Sequence, residues 1–204
     1  MAAGIKKQIK EAISILKNGG LVAFPTDTVF GLGAIASNID AVKRIYEVKQ
    51  RPASQAMPLL LGSIEEVDLV AEDVSESART LMKHFWPGAL TLIVKKANGL
   101  PDVITAGGST VAIRIPNHIV PLALIKGIGT PLVGTSANSS GETSPLTVEE
   151  VARQLGGKID MIIDDGTVEL PGESTILDTT VNPPRIVRVG RVPRTAIEQY
   201  VNLG

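Results

Sequence analysis

The sequence predicts an α/β fold: one domain, residues 1–204, with an open, twisted, mixed β-sheet and helices on its faces. Three observations lead there. A chain of 204 residues fits one domain. It is 44% hydrophobic but only 3% aromatic, so aliphatic side chains must build the core. Segments of helical and strand period alternate irregularly, and several strands follow one another directly, which argues against a regular doubly wound sheet.

Ile5, Ile9, Ala12, Ile13 and Leu16 recur at helical spacing, and Asn18-Gly19-Gly20 ends the pattern. Leu21 to Phe24 reads as a short buried strand closed by Pro25, and a polar, glycine-containing loop runs from Thr26 to Gly33. A helix over Ile39–Val48 starts near Asn38 or Asp40, and Pro58–Leu61 is a strand. Ser63 and Glu66 suit a capping box for a short helix. Ser75–Phe85 is a helix stopped by Pro87-Gly88. Leu90–Val94 and Val111–Ile115 are strands rich in branched residues, and His118–Ile125 is helical, entered near Pro121. Leu132-Val133 is a strand running into Gly134-Thr135-Ser136-Ala137-Asn138, and Thr147–Leu155 is a helix capped by Thr147 and Glu150. Met161–Ile163, Thr175–Leu177 and Ile186–Val189 are late strands, and Thr195–Val201 is a closing helix. With 20 glycines and 13 prolines, loops are prominent.

Composition excludes several functions. Basic and acidic residues number 20 and 21, for a net charge of −1, which argues against a generally basic nucleic-acid binder while allowing a local patch. Without cysteine there is no disulfide, thiolate zinc site or cysteine nucleophile. Lys6, Lys7, Lys10, Glu11 and Lys17 interrupt the first twenty residues, so no signal peptide is expected there. No apolar run is long enough to span a membrane. A soluble, cytoplasmic protein is the expectation, and Asn138-Ser139-Ser140 has little meaning as a glycosylation pattern inside a cell. His84 and His118, the two histidines, lie in no metal spacing and beside no triad, and read as a helix-face and a helix-start residue. There is no Walker A motif and no nucleophile elbow. An enzyme of this composition works by positioning and charge stabilisation, not by a covalent intermediate.

Three segments carry chemistry. Pro25-Thr26-Asp27-Thr28-Val29-Phe30-Gly31-Leu32-Gly33 follows a buried strand, where α/β sheets place ligand loops. Its glycines would let backbone amides approach a ligand; the bland alternative is a turn-rich strand exit. In Lys49-Gln50-Arg51-Pro52, extended chain would point both cations at one anion, as a phosphate requires, and Pro52 biases Arg51 that way. The alternative is a solvated helix end whose cations suit the dipole. Thr135-Ser136-Ala137-Asn138-Ser139-Ser140-Gly141, with Ser144 beyond, offers many short donors to a ribose, phosphate or carboxylate, or else forms Asx and Ser turns. Arg114 and Arg188 interrupt apolar strands and lie either on a solvated face or opposite a partner. Together these motifs suggest a site for a nucleotide and a small charged substrate.

Seven motifs in order resemble one family: the Pro25–Leu32 segment, Lys49-x-Arg51-Pro52, Trp86-Pro87-Gly88, Arg114-x-Pro116, Ser136-Ala137-Asn138-x-Ser140-Gly141, Ser174-Thr175-Ile176 and Arg188-x-Gly190. From about Leu21 to about Arg191 the chain is similar to the YrdC-type threonylcarbamoyl-AMP synthases. The resemblance implies a YrdC/RibB-like sheet under a large cleft. It also implies that L-threonine, bicarbonate and ATP, carried with Mg²⁺, become threonylcarbamoyl-AMP, pyrophosphate and water. That product serves the N6-threonylcarbamoyl modification of adenosine 37 in tRNA, completed by a separate transferase complex. Weak tRNA binding is a further partnership it allows.

By the same resemblance Thr26, Arg114 and Ser174 hold threonine, and Arg114 suits the carboxylate because its fork binds bidentately. Lys49, Arg51, Thr110, Ser136, Asn138, Ser144 and Arg188 hold the nucleotide. Lys49 and Arg51 also offset the charge building on the leaving pyrophosphate, and the protein need not ligate Mg²⁺ itself. Either residue changed to alanine is expected to abolish synthesis with the fold intact. Phe30 stands where the family often has tyrosine, removing any hydrogen bond from that hydroxyl. The chain also stops soon after the Arg188 motif, so the extra C-terminal domain of longer members is not expected. Two other readings compete: an RNA-binding module, which the near-neutral charge and few aromatics disfavour, and a carbamoyl-adenylate-forming relative of the hydrogenase-maturation type, which normally belongs to a much larger chain.

Overall fold

The computed structural model describes residues 3–166, 168 and 172–204. Helices α1 (Ala3–Lys17), α2 (Ile39–Lys49), α3 (Val67–Val70), α4 (Glu76–Phe85), α5 (Asp102–Thr105), α6 (Ile119–Ile128), α7 (Val148–Leu155) and α8 (Arg194–Ile197) alternate with ten described strands. These are β1 (Val22–Phe24), β2 (Gly31–Ile35), β3 (Leu59–Leu60), β4 (Ala71–Glu72), β5 (Leu90–Lys96), β6 (Thr110–Arg114), β7 (Leu132–Ser136), β8 (Met161–Ile162), β9 (Thr175–Asp178) and β10 (Arg185–Arg188). One sheet runs β10-β9-β5-β6-β3-β7-β2-β1-β8, with β4 beside β5. Pairs β1–β8, β3–β6 and β5–β9 are parallel and the remaining pairs antiparallel, so the sheet is mixed as expected.

The helix ends follow from local chemistry. Asn38 caps α2, its side chain accepting from Ala41 N at 3.0 Å, and Ser75 and Thr147 cap α4 and α7 likewise. In α7 the reciprocal bond falls one residue before the cap, with Leu146 N donating to Glu150 Oε2 at 2.7 Å. His118 starts α6 by accepting from Val120 N, and His84 sits on α4 stacked on Tyr200.

The expected Ser63 capping box does not form. Residues Ile64–Glu66 make a 3₁₀ turn without a side-chain cap, and Glu66 accepts from Gly62 N instead. The short elements α5 and β4 were not expected, and the closing helix is a single turn, since four residues are too few to show a period.

Period-two alternation divides the central strands between two faces. Leu92 and Val94 of β5, Val111 and Ile113 of β6, and Val133 of β7 join the larger apolar cluster with α2, α4 and α7. The opposite face is covered at one end by α1 and α6, where Ile9, Leu16, Val120 and Leu124 pack on Val22 and Phe24. Beyond those helices that face opens, and Thr91, Ala112, Arg114, Gly134 and Ser136 line a cleft.

Gly31 and Gly33 correct the expected loop: they belong to β2, opposite Phe24 and Val22. A Cβ on Gly33 would lie 2.8 Å from the Phe24 ring, so these glycines make room for that ring and do not simply bring backbone to a ligand. Likewise Gly134 to Ser136 continue strand β7. A Cβ on Gly134 would stand 2.5 Å from Leu60. Gly134→Ala should therefore cost about 1–3 kcal/mol through overpacking. Thermal melting checks it: a midpoint within one degree of wild type would mean that Leu60 moves aside freely.

Candidate active site

The cleft has a volume of about 330 Å³, at the lower end for small-molecule sites. Of the ten residues expected at the site, Thr26, Arg51, Arg114, Ser136, Ser174 and Arg188 line it, and Lys49, Thr110, Asn138 and Ser144 do not.

Arg114 is the most constrained. At 6% exposure it is neither solvated nor unpartnered. Its Nε donates to Gly88 O at 2.8 Å, Nη1 to Thr28 Oγ1 at 3.0 Å and Nη2 to Asp27 Oδ1 at 2.6 Å. This explains the sequence motifs: Trp86-Pro87-Gly88 delivers a carbonyl to the arginine, and Pro25–Thr28 delivers a carboxylate and a hydroxyl. Burial lowers the guanidinium's affinity for its proton, and Asp27 opposes that, with Arg191 and Arg188 adding to the lowering. Arg191 also donates to Asp27 O.

Thr26 is buried and organises its own turn. Its hydroxyl donates to Val29 O at 2.7 Å and accepts from Thr28 N at 3.0 Å. Ser174 shares a hydrogen bond with Thr91 Oγ1 at 2.8 Å, and Arg188 Nη2 donates to its Oγ at 3.2 Å and its carbonyl at 2.9 Å. The Arg188-x-Gly190 spacing has a steric origin, because a Cβ on Gly190 would lie 2.4 Å from Glu173 O.

The Lys49-Gln50-Arg51 expectation needs correcting. The segment is not extended. Gln50 is left-handed, with φ of 51°, and the helix closes with Arg51 N donating to Tyr46 O at 2.9 Å and Gln50 N to Glu47 O at 3.1 Å. This turn sends the two cations apart. Arg51 reaches the cleft, bonded to Gln55 O and Ala56 O at 3.1 and 2.7 Å. Lys49 turns inward, 1% exposed, donating to Ser136 O at 2.5 Å, Asn138 O at 2.6 Å and Asn138 Oδ1 at 3.2 Å. Its own carbonyl accepts from Ser140 N at 2.8 Å. Lys49 thus ties the Ser136–Ser140 segment to the end of α2. Burial pushes its pKa down to about 7, Arg51 adds to the lowering, and Glu173 opposes it.

Asn138 is buried, its Nδ2 donating to Glu142 O at 2.6 Å, so it shapes the same loop. Ser144 Oγ donates to Glu173 Oε1 at 2.9 Å. Thr110 lies on the cleft's face of β6, but four residues from Arg114, roughly 13 Å along the strand. Phe30 is fully buried in the larger cluster, consistent with a ring that needs no polar partner.

Sequence reasoning missed Glu173 and Arg191 and did not foresee Asp27 as the partner of Arg114. Asp27 stood inside a quoted motif, but its partner lies 87 positions away. Among the described residues no three His, Asp or Glu side chains gather to hold a metal. Glu173, which lines the cleft, and Asp27, which does not line it but pairs with Arg114, are each engaged by an arginine.

A family model described as telomere recombination, for Sua5, YciO and YrdC, matches residues 14–190. The chain is 43% identical over 194 residues to a threonylcarbamoyl-AMP synthase of Pyrococcus abyssi, covering 95% of this chain and 57% of that one. It is 44% identical to a threonylcarbamoyl-AMP synthase of Bacillus subtilis, covering 95% of this chain and 56% of that one. It therefore spans little more than half the length of either relative. The crystal structure of P. abyssi Sua5 complexed with L-threonine superposes with a TM-score of 0.93 at 42% identity, over 97% of this chain and 59% of that one.

Proposed function

The chain belongs to the Sua5/YciO/YrdC family, and from that premise we propose that it is an L-threonylcarbamoyladenylate synthase, a nucleotidyltransferase acting on L-threonine, bicarbonate and ATP. Its product would serve tRNA N6-threonylcarbamoyladenosine formation through a separate transferase complex. The supporting observation is the convergence of Arg51, Arg114 and Arg188 with the hydroxyls of Thr26, Ser136 and Ser174 around one open sheet face. Cations there suit a reaction whose two reactants are both anions.

In this reading the amine of threonine takes up carbon dioxide derived from bicarbonate, losing a proton to form a carbamate. A carbamate oxygen then attacks the α-phosphorus of ATP and pyrophosphate leaves. Arg114 orients the amino-acid carboxylate, with Thr26 and Ser174 beside it. Arg51 and Arg188 face the phosphates. Lys49 and Asn138 act by shaping the loop that carries Ser136, and Thr110 lies towards the nucleoside end. Mg²⁺ brought with ATP would add neutralisation of phosphate charge beside Arg51 and Arg188. The site's work is positioning and charge neutralisation, without a covalent enzyme intermediate.

The test is pyrophosphate release from ATP and Mg²⁺, with threonine and bicarbonate added singly and together. Release that requires both is expected. Arg51→Ala, which removes a half-buried side chain bonded, among the described residues, to the nearby carbonyls of Gln55 and Ala56, should lower that rate about 100-fold while melting like wild type. Release independent of threonine, or tight salt-sensitive tRNA binding without turnover, would replace this reading with the RNA-binding one.

A further inference from the structure

We propose that Glu173 is the resident counter-ion at the nucleotide end of the cleft, a positioning residue that holds Ser144 and Arg188 ready for an anion and yields them to the polyphosphate of ATP. The proposal rests on the nucleotide-binding reading above.

Among the described residues, Glu173 is the one carboxylate that lines the cleft. Its Oε1 accepts from Ser144 Oγ at 2.9 Å, and its Oε2 meets Arg188 Nη1 at 2.7 Å. A hydroxyl and a guanidinium converging on one carboxylate form the donor set that a phosphate would use. The two donors come from distant parts of the sheet. Ser144 lies between β7 and α7, whereas Arg188 ends β10, and four strands separate β7 from β10. One carboxylate therefore links Arg188, which lines the cleft, to the hydroxyl of Ser144, which does not line it.

The bridge can open without disturbing the backbone beneath it. Arg191 N donates to Glu173 O at 2.9 Å, and Gly190 N donates to Thr175 Oγ1 at 2.9 Å, so the main chain is fixed independently of the carboxylate. Arg188 is likewise held by Ser174 through Nε and Nη2. The side chains of Arg188 and Glu173 are 40% and 42% exposed, so their pair is solvent-screened and weak. The Arg114–Asp27 pair, at 8% and 14%, is buried. Among the described residues, the arginines of the cleft thus make one fixed ion pair, through Arg114, and one exchangeable one, through Arg188. A multiply charged phosphate outcompetes a single carboxylate for Ser144 and Arg188. When pyrophosphate forms, the same carboxylate competes for those donors and favours its release.

The test is calorimetric titration of the full chain with pyrophosphate and, separately, with ATP, first in EDTA and then with Mg²⁺. Glu173→Gln should bind both about two- to fivefold more tightly than wild type in EDTA. Glu173→Ala should repeat the tightening, while Glu173→Asp, which keeps the charge, should not. Glu173→Gln should also release pyrophosphate more slowly after a single turnover, which a purely structural role would not produce. Unchanged or weaker binding in EDTA overturns the proposal. Weakening confined to Mg²⁺ overturns it too, in favour of a carboxylate that contacts the metal. If no variant, wild type included, binds either ligand, the nucleotide reading falls with it. Threonine-dependent pyrophosphate release by wild type, with unchanged Glu173→Gln affinity, removes the counter-ion alone.

Discussion

Arg114→Gln is expected to lower threonine-dependent pyrophosphate release by about 100-fold or more, since two charge-assisted hydrogen bonds to a carboxylate are worth about 3 kcal/mol together. It is expected to lower stability as well. The guanidinium is buried against Asp27 at 2.6 Å, and removing one member of such a pair leaves a buried charge without its partner, at about 3–5 kcal/mol. For a chain of this length that is a fall in melting temperature of at least about 6 °C. The two effects can be separated. Pairing Arg114→Gln with Asp27→Asn removes both charges, so stability should return in part while turnover does not. Arg114→Lys should rescue neither, because an ammonium cannot reach Gly88 O, Thr28 and Asp27 from one planar fork. A folded double variant with wild-type dependence on threonine would remove Arg114 from the substrate site.

Lys49→Ala is the second large effect, and here the structure changes the expected outcome. A lysine at the cleft rim would be lost with the fold intact. This one is 1% exposed and satisfies Ser136 O, Asn138 O and Asn138 Oδ1. Its removal strands the part-buried carbonyl of Ser136 and the buried carbonyl of Asn138 and opens a cavity, together about 3 kcal/mol or more. Turnover should fall too, through displacement of Ser136. The pH dependence has a definite sign. With a folded-state pKa of about 7, below the ordinary 10.5, the charged amine is less favoured folded than unfolded. Its cost is full below about pH 7 and is relieved as pH rises towards 10.5. Wild type should therefore gain stability from pH 7 to 9 relative to Lys49→Met, measured by urea unfolding. Parallel pH profiles for the two would show that the ammonium stays charged through that range.

Much of this was legible in the linear sequence. The caps at Asn38, Ser75 and Thr147, the period of Ile5, Ile9, Ala12 and Leu16, and strands β5 and β6 depend on neighbours within a turn or a strand. The cleft face was encoded in the same way, since Thr91, Ala112 and Arg114 alternate with apolar residues that build the core. The direction of Lys49 was not legible. Extended chain and a left-handed turn at Gln50 are both open to the same three residues, and what selects the turn here is the Ser136–Ser140 loop packed against it. Gly31 and Gly33 misled for a similar reason: their neighbour is the Phe24 ring across a strand pair, and glycine alone does not say what fills the space it leaves.

The sequence by itself determined the fold class, most of the elements, the family and six of the residues that line the cleft, because motif order and short-range periodicity are written along the chain. Only the tertiary structure decided which cations face the cleft and which carboxylates hold them. Lys49 went inward and Arg51 outward, Asp27 met Arg114 and Glu173 met Arg188. Such pairings depend on which strands lie side by side, and a charge in a sequence carries no mark of the distant charge it will face.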